Sequence, residues 1–174
     1  MQAILADFHN QTSPDHWVLF ARLIGASLFG GLIGLEREMR HHSAGLRTHI
    51  LVSLAAALFV IVSTQVPELM PDDSNVLRVD PTRVIQAITE GVAFLAAGIV
   101  FFQKGTVKGL TTGAGLWFSG AVGLTIGLGL WSLGIFGSLL GLFVLFLLQK
   151  LEAKTRISPR NRLGEKPDQS PDAE

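Results

Sequence analysis

Long apolar segments, separated by short charged or glycine-containing stretches, are the feature that most restricts how this chain can fold. A helix needs about 20 mainly apolar residues to cross the hydrocarbon core of a bilayer, with a range of roughly 17 to 25. Charged side chains are confined to the stretches between these segments, whereas a soluble protein needs them over its whole surface. The pattern predicts an all-α fold, a polytopic membrane helix bundle of about five transmembrane helices, over residues 17–35, 49–66, 84–103, 110–129 and 131–148.

The distribution of Lys and Arg predicts how this bundle is oriented. Basic residues cluster after the first, third and fifth segments, at Arg37, Arg40, Arg47, Lys104, Lys108 and throughout residues 150–166. The loop of residues 67–83 has an acidic excess instead. Because short basic loops stay in the cytoplasm, we expect the amino terminus outside and the carboxyl terminus in the cytoplasm.

This topology divides the chain into three parts. Residues 1–16 are predicted to form an extracytoplasmic amino-terminal segment, and residues 17–149 the transmembrane domain. Residues 150–174 carry many charges and too little apolar surface to offset the entropy of ordering, which predicts a disordered charged cytoplasmic tail. Near residue 130 the residues available for a turn are Gly and Trp, which favours a tight hairpin of the fourth and fifth helices over a re-entrant segment.

Composition and motifs exclude several kinds of function. The chain has no cysteine, so it has no disulfide and no thiolate metal site. Lys+Arg and Asp+Glu both total 14, so the charge balance gives no support for nucleic acid binding. The sequence contains no nucleophile elbow, phosphate-binding glycine loop or paired histidine motif, so we expect no enzymatic activity, no metal site and no cofactor.

Glycines spaced four residues apart mark predicted helix contacts. Small residues let helix backbones approach closely in a bilayer, where packing drives association. Chance produces some such pairs among 19 glycines, but glycines without a packing role would only cost helix propensity. We therefore assign packing roles to Gly30 and Gly34, Gly109 and Gly113, Gly123 and Gly127, and Gly137 and Gly141.

Arg22 and Glu90 are the two formal charges inside the predicted spans, where a lone charge costs about 2.5 kcal/mol or more. Both lie about 8 to 9 Å from the outer end of their helices, so they can meet. One interpretation is an ion pair that lines a small polar cavity for a cation or a proton. The alternative is that Arg22 extends to the outer surface and Glu90 is protonated or bonds to a neighbouring hydroxyl.

The charged stretch from Glu36 to His49 has three interpretations. Its acids and histidines suggest a metal site, but their spacing fits no zinc pattern. Its arginines suggest contact with anionic lipid headgroups. We favour the third, in which Glu36, Arg37, Glu38 and Arg47 form a hydrogen-bonded network that caps the bundle, because partly desolvated charges need partners.

Four short motifs, in their order and spacing, resemble the MgtC/SapB family of bacterial inner-membrane proteins: "GLERE", "AGLRTH", "DPTR" and "GTVKGLTT". The resemblance covers roughly residues 22–129 and implies a five-helix membrane domain. The positions that match the family's motifs are Glu36, Arg37, Glu38, Gly45, Leu46, Arg47, Thr48, His49, Asp80, Pro81, Arg83, Gly109, Leu110 and Thr111.

This resemblance also implies a function. Members are linked to growth in low magnesium, to virulence and to inhibition of the membrane ATP synthase. We therefore expect a multi-pass protein of the bacterial inner membrane, embedded in the lipid bilayer, that binds the F-type ATP synthase or another membrane complex, or forms a homo-oligomer, in adaptation to magnesium limitation or acid stress. The alternative is a magnesium or proton transporter or channel component with a polar pathway through Arg22, Asp80, Arg83 and Glu90.

Two features depart from the family pattern. Virulence-associated members carry a folded cytoplasmic domain after the membrane part, where this sequence has its charged tail, so it resembles a short form of the family. The third segment reads "EGVAFLAAG" where the family commonly has "GIGFLGAG". Ala therefore replaces Gly at two packing positions, and Glu90 stands where a small residue is more usual.

Overall fold

The computed structural model describes residues 14–66, 80–103 and 106–155, and these form five α-helices and a short β-hairpin. The elements are α1 (His16–Met39), α2 (Leu46–Gln65), α3 (Pro81–Ile99), β1 (Phe101–Gln103), β2 (Thr106–Lys108), α4 (Leu110–Gly127) and α5 (Trp131–Thr155). The expected all-α membrane bundle is confirmed. Within the described residues, three helices are long and apolar enough to cross a membrane, His16–Met39, Leu46–Gln65 and Thr82–Ile99, and α5 adds a shorter apolar stretch, Trp131–Leu147.

Local chemistry sets where α2 and α3 begin. Between α1 and α2 the chain turns at His41, whose φ of 56° is left-handed, and α2 starts directly after Gly45. Asp80 caps α3, because its Oδ1 accepts hydrogen bonds from Thr82 N at 2.9 Å and Thr82 Oγ1 at 2.6 Å. Pro81 follows in the first turn, where its missing N–H costs nothing.

The third predicted helix is shorter than expected. Residues 84–103 were expected to be helical throughout, but α3 ends at Ile99 and the chain becomes extended at Val100. Strands β1 and β2 then pair antiparallel, with Phe101 opposite Lys108. Gly109, at φ 88°, turns the chain from β2 into α4, and its Cα lies so close to the Ile99 carbonyl that no side chain fits there.

A tight turn joins α4 to α5, as the hairpin prediction expected. Gly129 N donates to Ile126 O at 2.9 Å and Leu130 N to Thr125 O at 2.9 Å, the two bonds of a Schellman motif. Gly129 takes the left-handed position, with φ 83°. Further along α5, Gly134 contacts the side chain of Ile126 and Gly141 contacts Phe118, so α5 runs back along α4.

The core is built mainly by α1, α2 and α4, and α3 adds Ile88 and Val92 to it. Apolar side chains from α1, α2 and α4 are fully buried, including Ala26, Ile33, Ala57, Leu116 and Ile126. In α1 and in α2, 39% of the most apolar window is buried, but in α3 only 11% is. In the bundle, α3 thus packs against the core on one side and is largely uncovered on the other.

By its internal contacts the described part of the chain forms two compact units, which divide between Leu142 and Phe143. The packed core belongs to the first unit. The described part of the second is the last part of α5, which continues through Lys150 to Thr155, within the predicted tail of residues 150–174. The remainder of that tail, residues 1–13 of the predicted amino-terminal segment and the loop of residues 67–79 lie outside the described residues.

Candidate functional site

A cluster of charged side chains is buried at the carboxyl-terminal end of α1. Glu36 and Arg37 are only 4% and 1% exposed. The Glu36 carboxylate lies between two guanidinium groups, 3.3 Å from Arg37 Nε and 2.6 Å from Arg40 Nε. Arg40 reaches it because residues four apart share one face of a helix. The carboxylate thus offsets part of the positive charge that Arg37 carries into the bundle.

His42 joins this cluster from the loop. The left-handed turn at His41 brings the His42 ring back to α1, where Arg37 Nη1 donates a hydrogen bond to His42 Nε2 at 3.2 Å. Desolvation lowers the pKa of His42 below its ordinary value, and the positive charge of Arg37 lowers it further. An unprotonated Nε2 is what the hydrogen bond from Arg37 requires.

His49, in the first turn of α2, is completely buried beside the cluster. Its Nδ1 donates to the Gly45 carbonyl at 2.8 Å, which leaves Nε2 as a hydrogen-bond acceptor. Gly34 makes this approach of α1 and α2 possible, since a methyl group there would lie 2.8 Å from both His49 Cβ and Leu46 Cα. The cluster therefore rests directly on the contact between two helices.

Two buried serine hydroxyls join the core helices next to this cluster. Ser53 Oγ of α2 donates to the Ala26 carbonyl of α1 at 2.7 Å, and Ser119 Oγ of α4 donates to the His49 carbonyl at 2.9 Å. Inter-helix hydrogen bonds from serine stabilise membrane bundles at little steric cost. These serines were not predicted from the sequence, although a hydroxyl within a glycine-rich apolar segment indicates a hydrogen bond between helices.

The predicted network of Glu36, Arg37, Glu38 and Arg47 is thus formed only in part. Glu38 Oε2 accepts a hydrogen bond from Leu46 N at 3.0 Å, which places a carboxylate at the start of α2. Arg47 and Thr48 are exposed on the outside of α2 and take no part in the buried cluster. Arg40 and His42 were not in the predicted network, but they bind Glu36 and Arg37 in place of Arg47.

Arg22 and Glu90 do not form the ion pair that was one of the two interpretations of these charges. Arg22 Nη1 donates to the Gly127 carbonyl at 3.1 Å, at the end of α4, and its guanidinium covers the turn at Gly129. Glu90 is exposed on α3 and accepts a hydrogen bond from Gln86 Nε2 at 2.7 Å. Arg22 therefore acts as a cap for the carbonyl end of α4, the role that a cation suits.

Asp80 and Arg83, the other members of the predicted polar pathway, lie together at the start of α3. Their closest charged atoms, Asp80 Oδ2 and Arg83 Nε, are 3.9 Å apart, and both side chains are exposed. Hydrogen bonds from the hydroxyl and the N–H of Thr82 hold the pKa of Asp80 below its ordinary value. Within the described residues, no three His, Cys, Asp or Glu side chains are grouped so as to hold a metal ion.

All but one of the predicted packing glycines lie where helices or strands approach one another. Gly30 and Gly123 both contact Ser53, from α1 and from α4. A methyl group at Gly127 would lie 2.8 Å from Ala57 Cα, and one at Gly113 would lie 3.1 Å from the Ala96 carbonyl. The prediction was wrong for Gly137, since no atom of the described residues lies within 4 Å of the position a methyl group would take there.

The fold and this buried cluster define a helical membrane protein with an ion-pair network at one end of its packed core. The profile of the MgtC family matches residues 23–154, and the chain belongs to that family, which confirms the resemblance seen in the sequence. No solved structure matches the chain.

Relatives in several bacteria match the chain over about 100 residues. Protein MgtC of Brucella abortus (strain 2308) is 50% identical over 102 residues, which is 59% of this chain and 39% of the relative. An uncharacterized protein of Synechocystis is 46% identical over 101 residues, 58% of this chain and 39% of the relative. The putative magnesium transporter YhiD of Escherichia coli K12 is 40% identical over 102 residues, 58% of this chain and 46% of the relative. The matches thus span less than half the length of each of these relatives.

Proposed function

We propose that this is a non-enzymatic membrane protein that binds a transmembrane helix of another membrane complex through the outer face of α3. The observation that carries the proposal is the uncovered state of α3, which has the apolar length of a membrane span but buries only 11% of it within the chain. An apolar groove of about 660 Å³ separates α3 from α2, lined by side chains such as Phe59, Val92 and Leu95.

The polar residues on this face favour a protein partner over lipid. Glu90 and Gln86 are one helical turn apart and bond to each other on the exposed side of α3. Glu90 lies about 13 Å along the helix from Pro81, a depth at which a charge facing lipid costs about 2.5 kcal/mol or more. A partner helix with a hydrogen-bonding or cationic side chain removes that cost, whereas an acyl chain does not.

The small residues on this face have no partner helix within the described part of the chain. A methyl group at Gly91 or Gly98 would meet nothing within 4 Å, unlike one at Gly34 or Gly127. Between them Phe94 is 81% exposed. Glycines seven residues apart lie on one side of a helix, so this side can accept the backbone of another helix at close range.

Family membership supports the wider setting of this proposal. We place the protein in the bacterial inner membrane as a multi-pass protein, with its amino terminus outside and its carboxyl terminus in the cytoplasm. The family resemblance suggests the F-type ATP synthase as the partner. It also suggests that the protein acts in adaptation to magnesium limitation or acid stress. A second copy of the chain is the competing occupant of the same face.

Photo-cross-linking in native membranes tests the proposal. We expect a photoreactive amino acid at Phe94 to cross-link to a subunit of another membrane complex, because that side chain points away from the core. The same probe at Leu28, which is exposed on α1, is the matched control and should not give this product. Gly91→Leu should abolish the product without unfolding the protein, since nothing lies nearby. Products containing only lipid, or only a second copy, would contradict the proposal.

A magnesium or proton transporter or channel component is the second candidate, and two observations favour it. The Escherichia coli relative is named a putative magnesium transporter, and Glu90 places a carboxyl within a membrane-spanning helix. The separation of Arg22 from Glu90 removes the expected ion pair of that pathway. Liposomes that contain the purified protein discriminate the two: movement of Mg²⁺ or protons that is lost in Glu90→Gln would favour transport over binding.

A further inference from the structure

Three polar atoms in the buried cluster have no hydrogen-bond partner among the described residues. They are Nε and Nη2 of Arg37 and Nε2 of His49. Arg37 Nε lies 3.3 Å from Glu36 Oε2, but the angle does not make a hydrogen bond. Both side chains are buried almost completely, so bulk water does not reach these atoms. A buried donor or acceptor left in this state is costly.

Gly115 of α4 lies beside two of these atoms. A methyl group on Gly115 would lie 3.3 Å from His49 Nε2 and 3.9 Å from Arg37 Nε, and no other atom of a neighbouring element in the described residues lies within 4 Å of it. A small group beside this glycine would therefore contact two polar side chains, one from α1 and one from α2.

The donor and acceptor pattern selects the molecule that fits. Arg37 offers N–H donors, while His49 Nε2 offers a lone pair because Nδ1 carries the ring proton to Gly45. A metal cation is repelled by Arg37 and Arg40, and an anion meets the lone pair of His49 and the carboxylate of Glu36. A water molecule accepts from Arg37 and donates to His49, and buried waters typically make about three such bonds.

We propose that one water molecule is bound between Arg37, His49 and Gly115, and that it links α1 to α2 under cover of α4. The site explains why α4 has a glycine at position 115: any larger residue would occupy the space of this water. It also explains how Arg37 is held inside the core, since Nε and Nη2 then each have an acceptor.

Nitrogen-15 NMR of the full chain, labelled at histidine in lipid nanodiscs, tests the proposal directly. We expect His49 Nε2 to give the signal of an unprotonated nitrogen that accepts a hydrogen bond, with magnetisation transfer from a slowly exchanging water. Gly115→Ala should abolish that transfer. Gly120→Ala, on the same helix against the apolar side chain of Val92, is the matched control and should keep it.

A second variant keeps the test decisive if Gly115→Ala folds poorly. In Gly115→Ser the hydroxyl can donate to His49 Nε2 and accept from Arg37, as the water does. We expect Gly115→Ser to recover most of the thermal stability that Gly115→Ala loses. A protonated Nε2, the absence of a water signal in the unmodified protein, or equal losses in Gly115→Ser and Gly115→Ala would overturn the proposal.

Discussion

At the scale of single residues, Glu36 is the side chain on which the buried cluster depends. Its carboxylate lies 2.6 Å from Arg40 Nε and 3.3 Å from Arg37 Nε, while only 3% of its side chain is exposed. Removing one partner of a buried ion pair costs more than the pair itself contributes, because the remaining charge stays buried without compensation.

Glu36→Gln should therefore lower the free energy of unfolding by about 3 to 5 kcal/mol. Unfolding by SDS or urea in detergent micelles, followed by tryptophan fluorescence, measures the change. Glu38→Gln is the control, because Glu38 is exposed and bonds only to the start of α2. Equal effects of the two substitutions would show that Glu36 does not hold Arg37 and Arg40.

Two glycines provide a matched test of close packing. A methyl group at Gly30 collides with Ser53 and lies 3.0 Å from the His49 carbonyl, so Gly30→Ala should destabilise the protein by about 1 to 3 kcal/mol. Gly91→Ala meets nothing and should be neutral or stabilising by up to about 1 kcal/mol, through helix propensity. The same unfolding measurement applies to both, and a loss of stability in Gly91→Ala would mean that α3 is packed after all.

Part of the buried cluster could be predicted from the sequence, because charged residues next to an apolar segment need partners. Glu36 and Arg37 directly follow a glycine-rich apolar segment, so their need for partners was visible. The choice of Arg40 and His42 over Arg47 was not visible. The position of His42 depends on the left-handed turn at His41. Histidine seldom adopts this conformation, so the turn could not be predicted from the residue type.

At the scale of elements, hydroxyl groups add to the glycine contacts between helices. Ser53 and Ser119 each donate to a carbonyl of another helix, whereas the equally buried Ser138 donates to Gly134 within its own helix. These three serines allow inter-helix bonds to be compared with an intra-helix one in the same protein.

Ser53→Ala and Ser119→Ala should each lower the free energy of unfolding by about 0.6 kcal/mol, a typical value for inter-helix hydrogen bonds in membranes. Ser138→Ala should change it less, since its loss frees no group on a second helix. Chemical unfolding in micelles measures all three, and a larger effect at Ser138 than at Ser53 or Ser119 would refute this account.

The helices were predictable as elements because apolar length is a strong signal, but the end of α3 was not. Residues 100–103 read VFFQ, and an apolar run of this length fits a helix and a strand equally well. These residues form a strand because β1 pairs with β2 and Gly109 lies against Ile99. These are contacts between segments that periodicity does not describe.

At the scale of the whole molecule, His42 should make stability depend on pH. Its pKa is lowered in the folded protein, so the unfolded chain binds a proton at a higher pH than the folded chain does. The contribution of His42 is therefore fully present above its ordinary pKa of about 6.5 and is lost as the pH falls below that value.

His42→Gln should flatten this dependence, because glutamine keeps an acceptor for Arg37 but does not titrate in this range. Thermal unfolding of both proteins in micelles between pH 5 and 8 gives the comparison, and His49 is present in both. An unchanged slope in His42→Gln would show that other groups set the pH dependence.

Backbone contact through glycine has a mechanical consequence. Where Gly30, Gly34, Gly123 and Gly127 bring α1, α2 and α4 together, almost no side chain lies between the helices to repack, so these three helices cannot slide or rotate past one another. α3 has no such restraint on its outer side and buries little of its length. We therefore expect any change of shape that accompanies the protein's work to involve the outer side of α3 more than the contacts among α1, α2 and α4.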